Sequence, residues 1–177
     1  MMKKIRLATV WLDGCSGCHM SLLDIDEAIL GVAARAEVVY GPLVDAQEFP
    51  KGVDVALVEG AVSSQEDAEK IALIRKRSKL LVSLGDCAVT ANVPSMRNQI
   101  PPRKLLERIY IEGSQENKGI PTEGVPALLR QAVPVHQVVK VDLHVPGCPP
   151  PPSAIAFVLG ELLEGRVPNL ATKVKFG

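Results

Sequence analysis

The sequence predicts an α/β fold, a mainly parallel sheet with helices on both faces, over a single domain of 177 residues. Three observations carry this expectation. Short runs of apolar and β-branched residues alternate with amphipathic stretches at helical spacing, the pattern of βαβ units joined by right-handed crossovers. The length is enough to bury a core without disulfide staples. Each cysteine follows a strand-like run, and in parallel sheets ligands bind beyond the carboxyl ends of the strands.

Residues 5–11 mix apolar and β-branched side chains and read as the first strand. A loop with Gly14, Cys15, Gly17 and Cys18 leads into residues 21–34. There Leu22, Leu23, Ile25, Ile29, Leu30 and Val32 outline an apolar face and Asp24, Asp26 and Glu27 an outer one, which predicts one helix. Residues 37–40 form a short second strand stopped by Gly41-Pro42, and residues 53–58 a third that runs into Glu59-Gly60. Ser63 and Glu66 have the spacing of a capping box. Behind them Ala68, Ile71, Ala72 and Ile74 carry a helix whose C-terminal end is crowded with basic residues, as the macrodipole favours. Residues 80–84 form the fourth strand and deliver Gly85-Asp86-Cys87.

From Asn92 to Pro134 repeated prolines interrupt two short helical patterns, 103–110 and 127–131, so residues 92–134 are expected to be a Pro-rich irregular insertion. Residues 138–145 restore a strand, the Pro146-Gly147-Cys148 turn follows, and residues 153–164 form a closing helix. From Gly165 no regular pattern is visible.

Composition excludes several functions. With 20 basic and 20 acidic residues and six aromatics, the chain has neither the positive field nor the stacking surface of a nucleic-acid binder. No apolar run approaches the roughly 20 residues that span a bilayer, and the N-terminal run is broken by Thr9 and Asp13 with no cleavage site after it. A cytoplasmic location is expected, where thiols stay reduced and clustered cysteines more often hold metal than form disulfides. An apolar content of 47% is high for a lone soluble domain and suggests a covered face.

Cys15-Ser16-Gly17-Cys18 has the spacing at which two thiolates from one loop reach one metal centre. Cys87 and Cys148 would supply the remaining ligands, and every one of these loops has glycine beside the cysteine, letting backbone N–H groups approach sulfur. One 4Fe-4S cluster suits four thiolates. So does tetrahedral zinc, although structural zinc usually takes two short-range pairs. Free buried cysteines and a thioredoxin-like pair are the other readings, the last leaving Cys87 and Cys148 without a role.

Four motifs in order add a resemblance. Cys15-Ser16-Gly17-Cys18-His19-Met20-Ser21, Glu59-Gly60 after a strand, Gly85-Asp86-Cys87 and Pro146-Gly147-Cys148-Pro149-Pro150 resemble the small subunit of a nickel-iron hydrogenase, in the cytoplasmic NAD-reducing (bidirectional) branch, over residues 5–165. The resemblance implies a flavodoxin-like domain with Cys15, Cys18, Cys87 and Cys148 holding one proximal 4Fe-4S cluster and Gly14, Gly17, Glu59 and Gly147 behind them. It implies no catalytic residue in this chain. The nickel-iron site would lie in a hydrogenase large subunit, and FMN and NAD in iron-sulfur and flavin diaphorase subunits, the complex running H2 + NAD+ = H+ + NADH. This chain would relay electrons between them, since one cluster cannot carry them far.

Departures narrow the branch. Uptake hydrogenases have Ser-Glu where this sequence has His19-Met20, and add a C-terminal cluster domain and a twin-arginine signal. A deazaflavin-reducing subunit adds a ferredoxin-like region, and the respiratory complex I homologue has adjacent cysteines in place of the spaced pair. The alternatives are the small subunit of another cytoplasmic hydrogenase (deazaflavin- or NADP-linked, or a sulfhydrogenase) and a non-enzymatic zinc-stabilised interaction domain. FMN in this chain is disfavoured, because the cysteine loop replaces a phosphate-cradling first loop.

Other residues carry plainer expectations. Glu59 serves proton or electron traffic or caps a loop, His19 lies at the surface of a first helical turn or, failing that, hydrogen-bonds the metal centre or a partner, and Asp86 faces outward. Trp11 packs in the core or at an interface, while His136 and His144 have no visible partners.

Overall fold

A computed structural model describes residues 4–116 and 119–176. Met1, Met2 and Lys3 of the N-terminal run and Asn117 and Lys118 of the expected insertion lie outside the described residues. In chain order the strands are β1 (Ile5–Trp11), β2 (Ala36–Tyr40), β3 (Val53–Glu59), β4 (Val62–Ser64), β5 (Ser78–Leu84), β6 (Leu128–Val133) and β7 (Leu143–Val145). The helices are α1 (Gly17–Leu23), α2 (Ala28–Arg35), α3 (Gln65–Arg77), α4 (Asp86–Thr90), α5 (Pro102–Glu107) and α6 (Pro152–Leu163).

Five strands pair in the order β2-β1-β3-β5-β7, all parallel. The sheet is therefore the expected one. Its side chains alternate between two apolar clusters, as the pleat requires. Leu7, Val55, Leu57, Val82 and Leu84 meet Ile155, Val158, Leu159 and Leu162 of α6 on one face. Ala8, Val10, Val53, Ala56, Val58 and Leu81 meet Ile71 and Ile74 of α3 on the other. The fully buried Ile71 and Ile74 each contribute about 1.5–3 kcal/mol by leaving water. No described helix is long and apolar enough to cross a membrane.

Several elements differ from expectation for local reasons. The single helix expected over 21–34 is two helices, α1 and α2, separated by a turn in which Asp26 takes φ 51. Asp24, Asp26 and Glu27 would crowd negative charge mid-helix, and aspartate tolerates the left-handed region better than most residues. The capping box is Ser64 with Asp67, one residue later than expected: Ser64 Oγ accepts the Asp67 N–H and Asp67 accepts the Ser64 N–H. Between β5 and the insertion, α4 and its cysteine form a five-residue helix that the apolar pattern did not announce.

Within the insertion, the helix expected over 127–131 is instead β6, antiparallel to β4. Pro126 and Pro134 bracket a window too short to nucleate a helix, whereas β4 offers unpaired backbone groups that need partners. Two side chains fasten β6. Arg97 donates to the carbonyls of Leu129 and Ser63, and Asn98 pairs with both the N–H and the C=O of Ala132 at 2.8 Å. The strand expected over 138–145 shortens to β7, with a 3-10 turn over Val135–Gln137 before it. His136 and His144 are partners after all: their rings stand edge to face, centroids 5.8 Å apart. Burial first, then the neighbouring His136, holds the His144 imidazole below its ordinary value.

The start of β7 is fixed by Asp142, whose carboxylate accepts the Leu81 N–H at 2.9 Å and the Arg75 guanidinium at 2.5 Å. Burial pulls this carboxyl upward, but the Leu81 N–H and Arg75 outweigh it and hold the group below the usual carboxylate range. A depressed folded-state value means stabilisation that is full above the unfolded value of about 3.9 and disappears as pH falls through the folded value. Asp142→Asn should lower stability by about 1–2 kcal/mol at pH 7. In urea titrations the variant and the parent should converge as the pH is taken below about 4.

Candidate metal centre

Register places the site. Trp11 pairs with Glu59, Glu59 with Leu84, and Leu84 with Val145, so four strands end on one level row. The cysteine loops leave from three of these ends, and Glu59 closes the fourth. The loop after β1 is tied down before it reaches its first cysteine. Leu12 donates to the Glu59 carbonyl at 3.0 Å, Asp13 and Ala61 exchange two backbone bonds, and the Trp11 indole N–H donates to the Gly14 carbonyl at 3.0 Å. Trp11 itself is 45% exposed, so it clamps this loop and is not a core residue.

Cys18 stands in the first turn of α1 and Cys87 in the first turn of α4, while Cys15 and Cys148 sit in loops. All four are free thiols and line one cavity of about 70 Å3. Gly14, Gly17, Glu59 and Gly147, named from the sequence, line it too. Sequence reasoning missed Gly60, Asp86 and Pro149 in the same lining.

Asp86 is the main correction. It is buried, not outward: the Gly147 N–H donates to its carboxylate at 2.6 Å, and the Asp86 N–H donates to the Gly147 carbonyl at 2.9 Å. With the Gly85 N–H bonded to the Val145 carbonyl at 2.8 Å, the β5–β7 pairing extends past the strands into both cysteine loops. A third tie joins α1 to the loop after Cys148, the Ser21 hydroxyl donating to the Pro150 carbonyl at 2.5 Å. The signal for Asp86 was its position between a strand-ending glycine and a cysteine, where a carboxylate can gather loop N–H groups.

Glu59 is 2% exposed. Its Oε2 accepts the His19 backbone N–H at 3.0 Å and lies 3.2 Å from His19 Nδ1. His19 is thus tucked against this carboxylate, its side chain 12% exposed, and is not the surface residue expected. Burial first, then the charges of Glu59, Cys87 and Cys15, push the Cys18 thiol up. Cys87 is raised as well, by burial and then by Cys148, Cys15 and Glu59, against a backbone hydrogen bond from Val93 that lowers it. Sulfurs held this close resist ionising together unless a cation takes the place of their protons. Among the described residues no group of three or more His, Cys, Asp or Glu side chains converges tightly enough for a single metal ion.

The chain is similar to several known proteins. The family model of the NADH ubiquinone oxidoreductase 20 Kd subunit matches residues 15–162. The vhu G subunit of the F420-non-reducing hydrogenase of Methanocaldococcus jannaschii is 41% identical over 172 residues, covering 96% of this chain and 60% of that protein. The NAD-reducing hydrogenase HoxS subunit delta of Cupriavidus necator is 35% identical over 176 residues, covering 97% of this chain and 84% of that protein. A chain in the crystal structure of an NAD+-reducing NiFe-hydrogenase in the H2-reduced state superposes with a TM-score of 0.93 at 35% identity, covering 99% of this chain and 100% of that one. The chain thus spans about 60% of the length of the vhu G subunit and nearly all of the NAD+-reducing crystal chain.

Gly85 tests how tightly the cavity is built. It holds φ 84, ψ 160, a region open essentially to glycine alone, and a Cβ there would collide with Cys18 Sγ. Gly85→Ala should cost at least about 1–3 kcal/mol, a fall in melting temperature of about 2–12 °C. Gly160→Ala, in α6 with open space around it, should raise the melting temperature slightly.

Proposed function

This chain belongs to the NADH ubiquinone oxidoreductase 20 Kd subunit family, and from that membership we propose that it is the electron-transfer small subunit of a cytoplasmic nickel-iron hydrogenase. In this reading it relays electrons between a large subunit that splits hydrogen and a diaphorase module that reduces NAD. The carrying observation is the meeting of four thiols from three distant strand ends in one cavity. Similarity to the HoxS delta subunit supports the NAD-linked branch.

Cys15, Cys18, Cys87 and Cys148 are the proposed ligands of one 4Fe-4S cluster. When bound, such a cluster carries one electron at a time. The chain's own residues set its surroundings. Asp86 and Gly147 fix the Cys87 and Cys148 loops relative to each other. The Val93 N–H bonded to Cys87 disperses negative charge on a ligand sulfur, an interaction that tunes cluster potential. Glu59, buried against His19, keeps a carboxylate at the cavity wall. Zinc fits less well, because among the described residues no three such side chains converge on a site for a single ion.

A second reading has its own support. Similarity to the vhu G subunit is higher than to HoxS delta, and that protein's name describes a hydrogenase that does not reduce F420. Under this reading the cluster role is unchanged and the electron acceptor differs.

Anaerobic purification of the native complex by a tag on this chain decides both points. A brown protein with absorbance near 400 nm and about four iron and four sulfide per chain is expected; one colourless zinc per chain would overturn the relay. Hydrogen-dependent reduction of NAD is the expected outcome, and hydrogen uptake without NAD reduction would favour the second reading. Cys87→Ser should remove most of the iron and the absorbance, and retained iron would remove Cys87 from the ligand set.

A further inference from the structure

The cysteine cavity carries more negative charge than holding its loops requires. Glu59 and Asp86 line it, 2% and 4% exposed, and among the described residues no lysine or arginine lines it. Each carboxylate accepts a bond that a neutral amide of the same shape would also accept: Glu59 Oε2 takes the His19 backbone N–H at 3.0 Å, and Asp86 Oδ1 takes the Gly147 N–H at 2.6 Å. Tying the loops therefore needs an acceptor, not an anion. The His19 ring, 3.2 Å from Glu59, offsets that charge only in its protonated form. Burying anions beside four sulfurs is costly, so their charge serves something other than the ties.

From this juxtaposition we infer that Glu59 and Asp86 hold down the reduction potential of the cluster, making it a strong one-electron donor. The inference rests on the reading that the four cysteines hold a 4Fe-4S cluster. Reduction leaves such a cluster one charge more negative, so a buried carboxylate at the wall favours the oxidised form; net charge is among the factors that set these potentials. A cavity of about 70 Å3 keeps wall and guest close, and burial spares the interaction the screening that water would give. The sulfurs already feel the field: burial first, then Glu59 ahead of the other charges, holds the proton on Cys18. A field that disfavours a thiolate disfavours an added electron for the same reason. In the relay each hydrogen molecule yields two protons and two electrons at the large subunit, and the electrons cross this chain singly. Two of them, with NAD+ and one proton, make NADH in the diaphorase module. A cluster poised low passes each electron on instead of retaining it.

The test is a redox titration, followed by electron paramagnetic resonance, of the native complex isolated anaerobically by a tag on this chain. The signal that Cys87→Ser removes identifies this cluster among those of the complex. Glu59→Gln and Asp86→Asn keep an acceptor oxygen and remove the charge. Each should raise the cluster's affinity for an electron roughly tenfold, a midpoint about 59 mV higher for a one-electron couple, and the double variant should stand higher than either. The midpoint is read from the loaded fraction, so partial loss of iron in a variant does not obscure it. Glu37→Gln removes the same charge from an exposed site at the other end of the sheet, where Glu37 pairs with Arg6, and should leave the midpoint at the parent's value. Midpoints unshifted or lowered in both cavity variants would overturn the inference, as would an equal rise in Glu37→Gln. Absence of iron from the parent chain would instead sink the relay reading, so the two failures are distinct.

Discussion

The mutual grip of Asp86 and Gly147 is the constraint on which the site depends. One short bond from the Gly147 N–H to a buried carboxylate and one backbone bond in return carry the β5–β7 pairing beyond the end of β7, which is only three residues long. A sheet edge so short would let the loop after it wander. With the grip, Cys87 and Cys148, 61 residues apart by the count between Asp86 and Gly147, face one cavity. Removing the carboxylate would leave a buried N–H without its acceptor, the costly kind of loss.

Around that grip the remaining ties are redundant in direction but not in partner. Asp13 with Ala61 anchors the first loop to the region after β3, and Ser21 with Pro150 anchors the start of α1 to the loop of the last cysteine. Each joins a different pair of chain segments. The loops that carry the cysteines are thereby fixed to one another, while the sulfurs raise one another's affinity for protons. Rigid walls around mutually repelling donors are the means by which a protein makes a cationic guest more favourable than an empty site.

Much of this was legible because β strands ending in glycine and cysteine are a local signal. Trp11, Glu59, Leu84 and Val145 each close an apolar run, and parallel topology alone sends those ends to one edge. What was not legible depends on tertiary pairing. Nothing in Leu128–Val133 distinguishes a helical turn from a strand until β4 offers its edge and Asn98 supplies a ladder bond from a side chain. Asp86 looks like any solvated acid in a turn until the Gly147 N–H is found against it. His19 and Glu59 are separated by 40 residues, so their contact had no sequence trace.

The shortness and lateness of β7 also govern when the cavity becomes whole. Cys15, Cys18 and Cys87 are all encoded before residue 88, and β1, β3 and β5 pair among themselves. A nascent chain at that stage presents three sulfurs on an unfinished rim. The fourth arrives only when Leu143–Val145 docks on the outer flank of β5 and α6 seals the face behind it. The cavity with all four sulfurs therefore exists only after Val145 and α6 have emerged from the ribosome.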